Sequence, residues 1–467
     1  MKRVMFIGIA GTDKDFLLSV PTLVCYLNQF KEITDNYQLL QFHYYKSTKL
    51  DEIISDINKF EPDIICYSQY IWNKQMIIDL TDWFSGVPSI IGGPDISKNY
   101  SEGLKFYITG EGEYELYSML TGKLAPKQPY RDRPSIYKDK TFIEILKTPN
   151  IRVNIETQRG CTFKCSYCLY HKNMPNLEYR NVNTVLDELE FIQQSGIKEI
   201  RIIDGNFFSN YTHAHAILSG LLTRNINLKI FFESSPILIN DNLLELCKQY
   251  IEKGNKLLMS IGIQSTNKKS LKAINRFRNE EVEEEMIDKL SKIGISLRID
   301  SILGLPYDNV GTYLETLNTI IKYMEYGKHY MGPNVLRILP NTELDNEVIL
   351  YGMHCNESYL VTSNNFMDEE DMKYCLRKTA IAFRLFSSYN LDNNSEINDE
   401  FFKTKYRTNY SNLEILRIIE DALIERLKGT DSDFLKEDFP NAEDYYYWQI
   451  RFDAPDEWLK EIMRNTR

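Results

Sequence analysis

The sequence predicts an α/β chain in three parts: a doubly wound parallel sheet over residues 1–145, a partial or full (β/α) barrel over 146–345, and a mostly helical region over 346–467. Three observations predict it. Short apolar runs alternate with helically patterned stretches, and strands covered on both faces read as such runs. The runs form two successive series, separated from Leu120 to about Pro149 by a linker-like stretch rich in Lys, Pro and Arg. After about Pro340 the strand pattern fades into acidic, helix-prone sequence.

In the first series, Val4 to Ile9 and Gln38 to Tyr45 read as strands. Leu50, Ile53, Ile54 and Ile57 follow at helical spacing. Asp63 to Ser68 is a third strand, Ser89 to Ile91 a fourth that runs into Gly92-Gly93-Pro94, and Phe106 to Thr109 a fifth that runs into Gly110-Glu111-Gly112-Glu113. This order suits a flavodoxin- or Rossmann-like domain, whose ligands sit outside the carboxyl ends of the strands. In the second series Val153 to Glu156 is a strand that leads into a cysteine loop. Val185, Leu186, Leu189 and Ile192 make one helix face, with Gly196 as its stop. Further strands are expected at Ile197–Asp204, Lys229–Glu233, Leu257–Gln264, Ser296–Leu303 and Asn334–Leu339. Barrel chemistry sits at the carboxyl ends of such strands.

A net charge of −11 argues against a broad nucleic-acid footprint. No apolar stretch reaches the ~18 residues of a membrane span, so neither a nucleic-acid nor a membrane partner is expected. MKRVMFIGIAGTDKD turns charged at Asp13 and reads as a strand rather than a signal peptide. Of eight cysteines only three cluster, which does not suit a disulfide framework, and a cytoplasmic location is expected. The other five read as buried small hydrophobes. His213 and His215 stand two apart in a helical stretch and point apart. Tyr445 to Trp448 reads as a packed helix or interface.

The chemistry concentrates in Glu156-Thr157-Gln158-Arg159-Gly160-Cys161-Thr162-Phe163-Lys164-Cys165-Ser166-Tyr167-Cys168. Three thiolates in so short a span cannot complete a four-cysteine shell, and three ligands on a four-iron cube leave one iron open. A Cys₃His zinc site with His171 is the alternative. The C-x₃-C-x₂-C spacing, with an aromatic before the last cysteine, resembles the radical S-adenosylmethionine (radical SAM) superfamily. The resemblance implies a [4Fe–4S] cluster on Cys161, Cys165 and Cys168, S-adenosylmethionine bound at the open iron, a 5′-deoxyadenosyl radical, and Tyr167 near the adenine. It continues through Ile203-Asp204-Gly205-Asn206-Phe207-Phe208, Ile261-Gly262-Ile263-Gln264-Ser265, Leu271 to Arg276, Asp300 to Pro306 and Leu339-Pro340-Asn341-Thr342. Asp204, Gly205, Asn206, Gln264 and Arg276 are the residues it assigns to S-adenosylmethionine. It also implies a one-electron reductant such as flavodoxin or ferredoxin.

Upstream, Asp63 to Asn73, Gly92-Gly93-Pro94 and Gly110-Glu111-Gly112-Glu113 resemble the cobalamin-binding domain of the class B group. There Ser68, Gly92 and Gly93 would border the nucleotide tail of cobalamin. The stretch after the first strand, Ile9 to Asp15, has no histidine to ligate cobalt, and His43 reads as a surface imidazole. The expected function is cobalamin-dependent methylation of an unactivated carbon in a natural-product or peptide substrate. The alternative is a radical reaction without methylation (epimerisation, dehydration or rearrangement), with an N-terminal domain that binds cobalamin non-catalytically or not at all; Cys355 or Cys375 as hydrogen donor would favour epimerisation. RNA methylthiolation is disfavoured by the charge and by the lack of a second three-cysteine set.

Overall fold

The structure is a computed structural model that describes residues 1–137, 140–148, 151–174, 176–386, 395–428 and 455–466. They fall into two compact units: Met1–Thr162, Leu169–Glu233 and Glu245–Lys256 in the first, and Phe163–Cys168, Ser234–Leu244 and Leu257–Arg467 in the second. Tyr445 to Trp448 lies outside the described residues.

The first unit opens with β1 (Lys2–Ala10), β2 (Tyr37–Tyr45), β3 (Ile64–Ser68), β4 (Ser89–Gly92), β5 (Tyr100–Glu102) and β6 (Lys105–Ile108), in sheet order β2-β1-β3-β4-β6-β5. All neighbours are parallel except β5 and β6. The alternation of β1 shows why the sheet is covered twice. Val4 and Phe6 enter one apolar cluster with the helices Ser19–Leu27 and Gly112–Thr121, whereas Met5, Ile7 and Ile9 enter another with Leu50–Phe60 and Lys74–Trp83. Ile53, Ile54 and Ile57 are the buried face of Leu50–Phe60, and each buried side chain contributes about 1.5–3 kcal/mol.

Two stretches differ from the sequence expectation. β5 is three exposed residues with no apolar pattern; β6 pairing and the stacking of Tyr100 on Tyr107 (4.1 Å between ring centroids) hold it. The stretch read as a linker instead buries Tyr130, Arg133, Ile136, Tyr137 and Phe142.

The same unit continues with β7 (Val153–Ile155), β8 (Gln158–Arg159), β9 (Glu178–Tyr179), β10 (Glu199–Ile202) and β11 (Lys229–Glu233). β10 pairs in parallel with β7 and β11, and β8 pairs antiparallel with β9. The helix Val182–Gln194 buries the predicted face; Asn181 caps its start and Gly196 follows its end at φ +87°. Arg152 ties this part to the exit of β1 through two bonds to the Asp15 carboxylate (2.8 and 3.0 Å).

The second unit contains β12 (Lys256–Gln264), β13 (Ser296–Leu303) and β14 (Tyr330–Val335), parallel in the order β14-β13-β12. Thus the six barrel strands occur along the chain in the expected order, but the last is Tyr330–Val335 rather than Asn334–Leu339. Gly332-Pro333 hides it from pattern reading, and β14 ends the strand order, the position where a sheet tolerates proline. The chain beyond is mainly helical (Glu369–Phe386, Ser395–Thr408, Asn412–Leu427 and Asp456–Asn465), interrupted by the hairpin of β15 (His354–Cys355) and β16 (Val361–Ser363). No helix among the described residues is long and apolar enough to cross a membrane.

Candidate functional site

The cysteine loop is divided between the units, with Cys161 in the first and Cys165 and Cys168 in the second. In the first unit, β7 ends in a turn held by Asp204 from the end of β10. The Asp204 carboxylate accepts from the backbone N–H of Thr157 (2.7 Å) and Gln158 (3.1 Å) and from the Thr157 hydroxyl (2.5 Å). Burial raises its pKa to about 7 against the lowering effect of those bonds. Both Asp204 oxygens are therefore engaged within the protein. The Asn206 carbonyl accepts from the Gln158 amide (2.5 Å). Gly160 adopts φ +86°, and a Cβ there would lie 2.3 Å from the Asn176 carbonyl oxygen, so no other residue fits without displacement. Next comes Cys161, whose sulfur lies 3.9 Å from the Gly205 carbonyl oxygen. Gly205 is itself packed: a Cβ would come within 2.7 Å of the Tyr170 ring and 3.3 Å of the Cys161 Cβ.

In the second unit the backbone around Cys165 is pinned at three points. Asn275 donates to the Lys164 carbonyl (2.8 Å), Ser166 N–H donates to the Ile274 carbonyl (3.0 Å), and Leu344 N–H donates to the Ser166 carbonyl (3.0 Å). Asn275 takes φ +51° to make this approach. Cys165 is buried, with the Arg276 guanidinium 3.7 Å from its sulfur. Arg276 also donates to the Gly262 carbonyl (2.8 Å) and lies over the Phe163 ring (5.2 Å). Cys168 N–H closes a tight turn on the Cys165 carbonyl (3.0 Å). Burial and the neighbouring Cys165 push the Tyr167 phenol well above its ordinary pKa, and its ring packs on the cluster around Leu271 and Ile274. Gln264 stands at φ +66° with a buried Oε1 that has no partner. Its amide and the Arg276 guanidinium both lie over Gly262, where a Cβ would be 2.1 Å from Gln264 Nε2. A strained residue with an unsatisfied acceptor is what a ligand site leaves behind.

At the carboxyl edge of the first sheet, the Ser68 hydroxyl pairs with that of Ser19 (2.8 Å). Gly93 is required by the fold itself, since a Cβ would lie 2.2 Å from the Gln69 carbonyl oxygen, and one at Gly92 would meet Ile108 at 3.1 Å. His43, read as a surface residue, has a buried Nε2, and burial lowers its pKa to about 4. Cys375 is fully buried in an apolar cluster with Met372 and Leu376, where burial raises its pKa to about 12. Cys355 is exposed on the β15–β16 hairpin. Sequence reading missed Tyr170 and Asn275 as supports of the loop; Asn275, placed just past a short helix, was the one with a conformational signal.

Residues 155–320 match the family model of the Radical SAM superfamily. That stretch, which contains the cysteine loop, is similar to the radical SAM superfamily. That superfamily uses a [4Fe–4S] cluster and S-adenosylmethionine. The chain is 23% identical over 405 residues to the cobalamin-dependent radical SAM methyltransferase TokK of Streptomyces tokunonensis, a match that covers 75% of this chain and 58% of TokK. It thus spans little more than half the length of that curated relative. Among solved structures, the cobalamin-dependent S-adenosylmethionine radical enzyme OxsB, with aqua-cobalamin and S-adenosylmethionine bound, matches at a TM-score of 0.66 and 17% identity, covering 100% of this chain and 78% of OxsB. The radical SAM methyltransferase TsrM of Kitasatospora setae matches at 0.59 and 13% identity, covering 74% of this chain and 76% of TsrM. These likenesses show a shared fold: an N-terminal α/β region, a second α/β region and a helical region.

None of its described cysteines forms a disulfide, and no group of three or more His, Cys, Asp or Glu among the described residues could hold a single metal ion. A four-iron cube spreads its ligands, one thiolate to each of three irons, so the donor chemistry of Cys161, Cys165 and Cys168 fits that group.

Proposed function

We propose that the protein is a cobalamin-dependent radical SAM methyltransferase that acts on an unactivated carbon of a small natural-product or peptide substrate. The observation that carries the reading is the joining, in one chain, of a doubly wound sheet to a radical SAM domain whose three cysteines follow a parallel strand. Cys161, Cys165 and Cys168 would hold the cluster, which supplies the electron that cleaves S-adenosylmethionine to a 5′-deoxyadenosyl radical. Gln264 offers a buried acceptor to the bound cofactor, and Arg276, held by the Gly262 carbonyl, would face the cofactor's carboxylate. Tyr167 remains a neutral phenol, an apolar plate with a polar tip beside the cysteines. Asp204 acts at one remove by fixing Thr157 and Gln158.

The carboxyl edge of the first sheet would take cobalamin, which supplies the methyl group for transfer. Gly92, at the end of β4, Gly93 after it, and Ser68, bonded to Ser19, would border it there. A flavodoxin- or ferredoxin-like reductant in the cytoplasm would feed the cluster.

The experiment is anaerobic reconstitution with iron, sulfide and hydroxocobalamin, followed by desalting and a count of iron and cobalamin per chain. About four irons with one cobalamin supports the reading. Iron without cobalamin removes methyl transfer and moves a non-methylating radical reaction to first place. Incubation with labelled S-adenosylmethionine and candidate substrates then asks for a methylated product alongside 5′-deoxyadenosine.

A further inference from the structure

A second constellation, which the cofactor reading leaves unused, lies in the first unit just upstream of Cys161. Arg159 of β8 has a nearly buried side chain. Its Nη1 donates to Glu111 Oε1 (2.9 Å) and Glu113 Oε1 (3.0 Å), and its Nε donates to Glu156 Oε2 (2.9 Å). Its guanidinium lies over the Tyr130 ring at 4.6 Å, and the Tyr130 hydroxyl donates to Glu156 (2.6 Å). Arg133 grips the same two carboxylates, with bonds of 2.6 Å to Glu113 and 3.0 Å to each oxygen of Glu111. Two guanidinium groups and three carboxylates thus share one site. Burial opposes the ionisation of Glu113, yet Arg159 and Arg133 more than offset it and hold its carboxyl below the ordinary range.

Such a network is an expensive way to gain stability, because desolvating the charges offsets most of their attraction. What it supplies is placement: the planar fork of Arg159 is held from three sides and accepts one orientation. Only Gly160 separates it from Cys161, and Gly160 is wedged against the Asn176 carbonyl with no room for a Cβ. A shift at Arg159 therefore passes to Cys161 instead of being absorbed. Cys165 and Cys168 depend on other anchors, those of Asn275, Ile274, Leu344 and Arg276.

We infer that Arg159 is a positioning residue for Cys161, and that Glu111 and Glu113, from the end of the first sheet and the start of the helix that follows it, set its place. The inference rests on the reading of Cys161 as a cluster ligand. Through this clasp the α/β region that would hold cobalamin also shapes the seat of the cluster.

The test uses the full chain in two states. In cluster-free protein, iodoacetamide labelling read by mass spectrometry gives a rate for each cysteine. Glu111→Gln/Glu113→Gln, which keeps shape and removes charge, should speed alkylation of Cys161 severalfold and leave Cys165 and Cys168 unchanged. Arg159→Lys, which keeps the charge and loses the fork, should do the same to a smaller extent. After reconstitution, the double variant should hold wild-type iron with altered electron paramagnetic resonance of the reduced cluster, and should form 5′-deoxyadenosine about tenfold more slowly, the scale of a small misplacement. Unchanged labelling of Cys161, or equal acceleration at all three cysteines, overturns the inference. If the double variant does not fold, Glu113→Gln alone carries the same contrast. Wild-type protein that binds no iron would remove the cluster reading, while the labelling contrast would still decide whether the clasp places Cys161.

Discussion

Asp204→Asn examines the buried carboxyl that fixes the start of the cysteine loop. Asp204 is 1% exposed and accepts three bonds from Thr157 and Gln158, yet burial raises its pKa to about 7. A folded value above the unfolded one means that the folded state binds more protons between about pH 4 and about pH 7. The contribution of this group to stability is full below the unfolded value and is lost as pH rises through the folded one. At about 1.36 kcal/mol per unit, the rise from about 3.9 is worth about 4 kcal/mol, of which about 2.5 kcal/mol falls between pH 5 and pH 8. Asparagine keeps an acceptor for the two backbone N–H groups and cannot ionise. Asp204→Asn should therefore be less stable than the wild type at pH 5, and the gap should close by about 2.5 kcal/mol by pH 8. Urea unfolding of the cluster-free chain at four pH values, with the difference between the two proteins taken at each, isolates this group from all others. A difference that does not move with pH would refute the assignment of a raised pKa to Asp204 and the account of the turn built on it.

Three other perturbations have defined outcomes. His329 accepts from Leu297 N–H through Nδ1 (3.1 Å) and pairs with Ser291 through Nε2 (2.7 Å), and burial lowers its pKa to about 4. Its stabilising share is present above about pH 6.5 and is lost as pH falls towards 4; the acid loss of about 3 kcal/mol should vanish in His329→Asn when melting is followed against pH. Gly160→Ala places a Cβ 2.3 Å from the Asn176 carbonyl oxygen at φ +86° and should cost at least about 1–3 kcal/mol, seen as reduced iron per chain after reconstitution; full iron content would contradict the tight seat. Lys378 and Glu420 form a buried ion pair in the helical region, so Lys378→Met or Glu420→Leu alone should each cost about 3–5 kcal/mol in urea unfolding, and the double variant far less than their sum.

What the sequence disclosed and what it concealed divide along physical lines. Continuous apolar runs such as Val4–Ile9 disclosed β1 because a strand buried on two faces has no polar alternation to confuse it. The helix Val182–Gln194 was legible in both face and end because Asn181 and Gly196 carry the two capping signals. β14 was displaced because Pro333 reads as a break unless its edge position is known, and β5 was invisible because its stability comes from β6 rather than from its own residues. In the site, the cysteine spacing and the segments that follow it pointed to a cluster on this loop. Its supports are long-range: Asp204 reaches back to Thr157, and Asn275 reaches back to Lys164. No local pattern encodes such contacts. For the same reason the Lys-, Pro- and Arg-rich stretch passed for a linker, although Arg133 and Tyr130 within it help to hold Arg159.

These supports change what a substitution in the loop should be expected to do. Ordering the backbone of one residue costs about 1–2 kcal/mol, so a flexible eight-residue loop would spend much of its cluster affinity on organising itself. Here the protein supplies anchors of its own: Asp204 and Arg159 fix the approach to Cys161, while Asn275, Leu344 and Arg276 fix the stretch around Cys165. The two sets of bonds share no residue, so weakening one set should lower the occupancy or alter the spectrum of the cluster before it lowers the melting temperature of the chain. A loop held by a single cooperative network would behave the other way, losing fold and cluster together. The order in which these two properties fail across Asp204→Asn, Glu113→Gln and Asn275→Ala therefore distinguishes a preorganised seat from one that the cluster itself must fold.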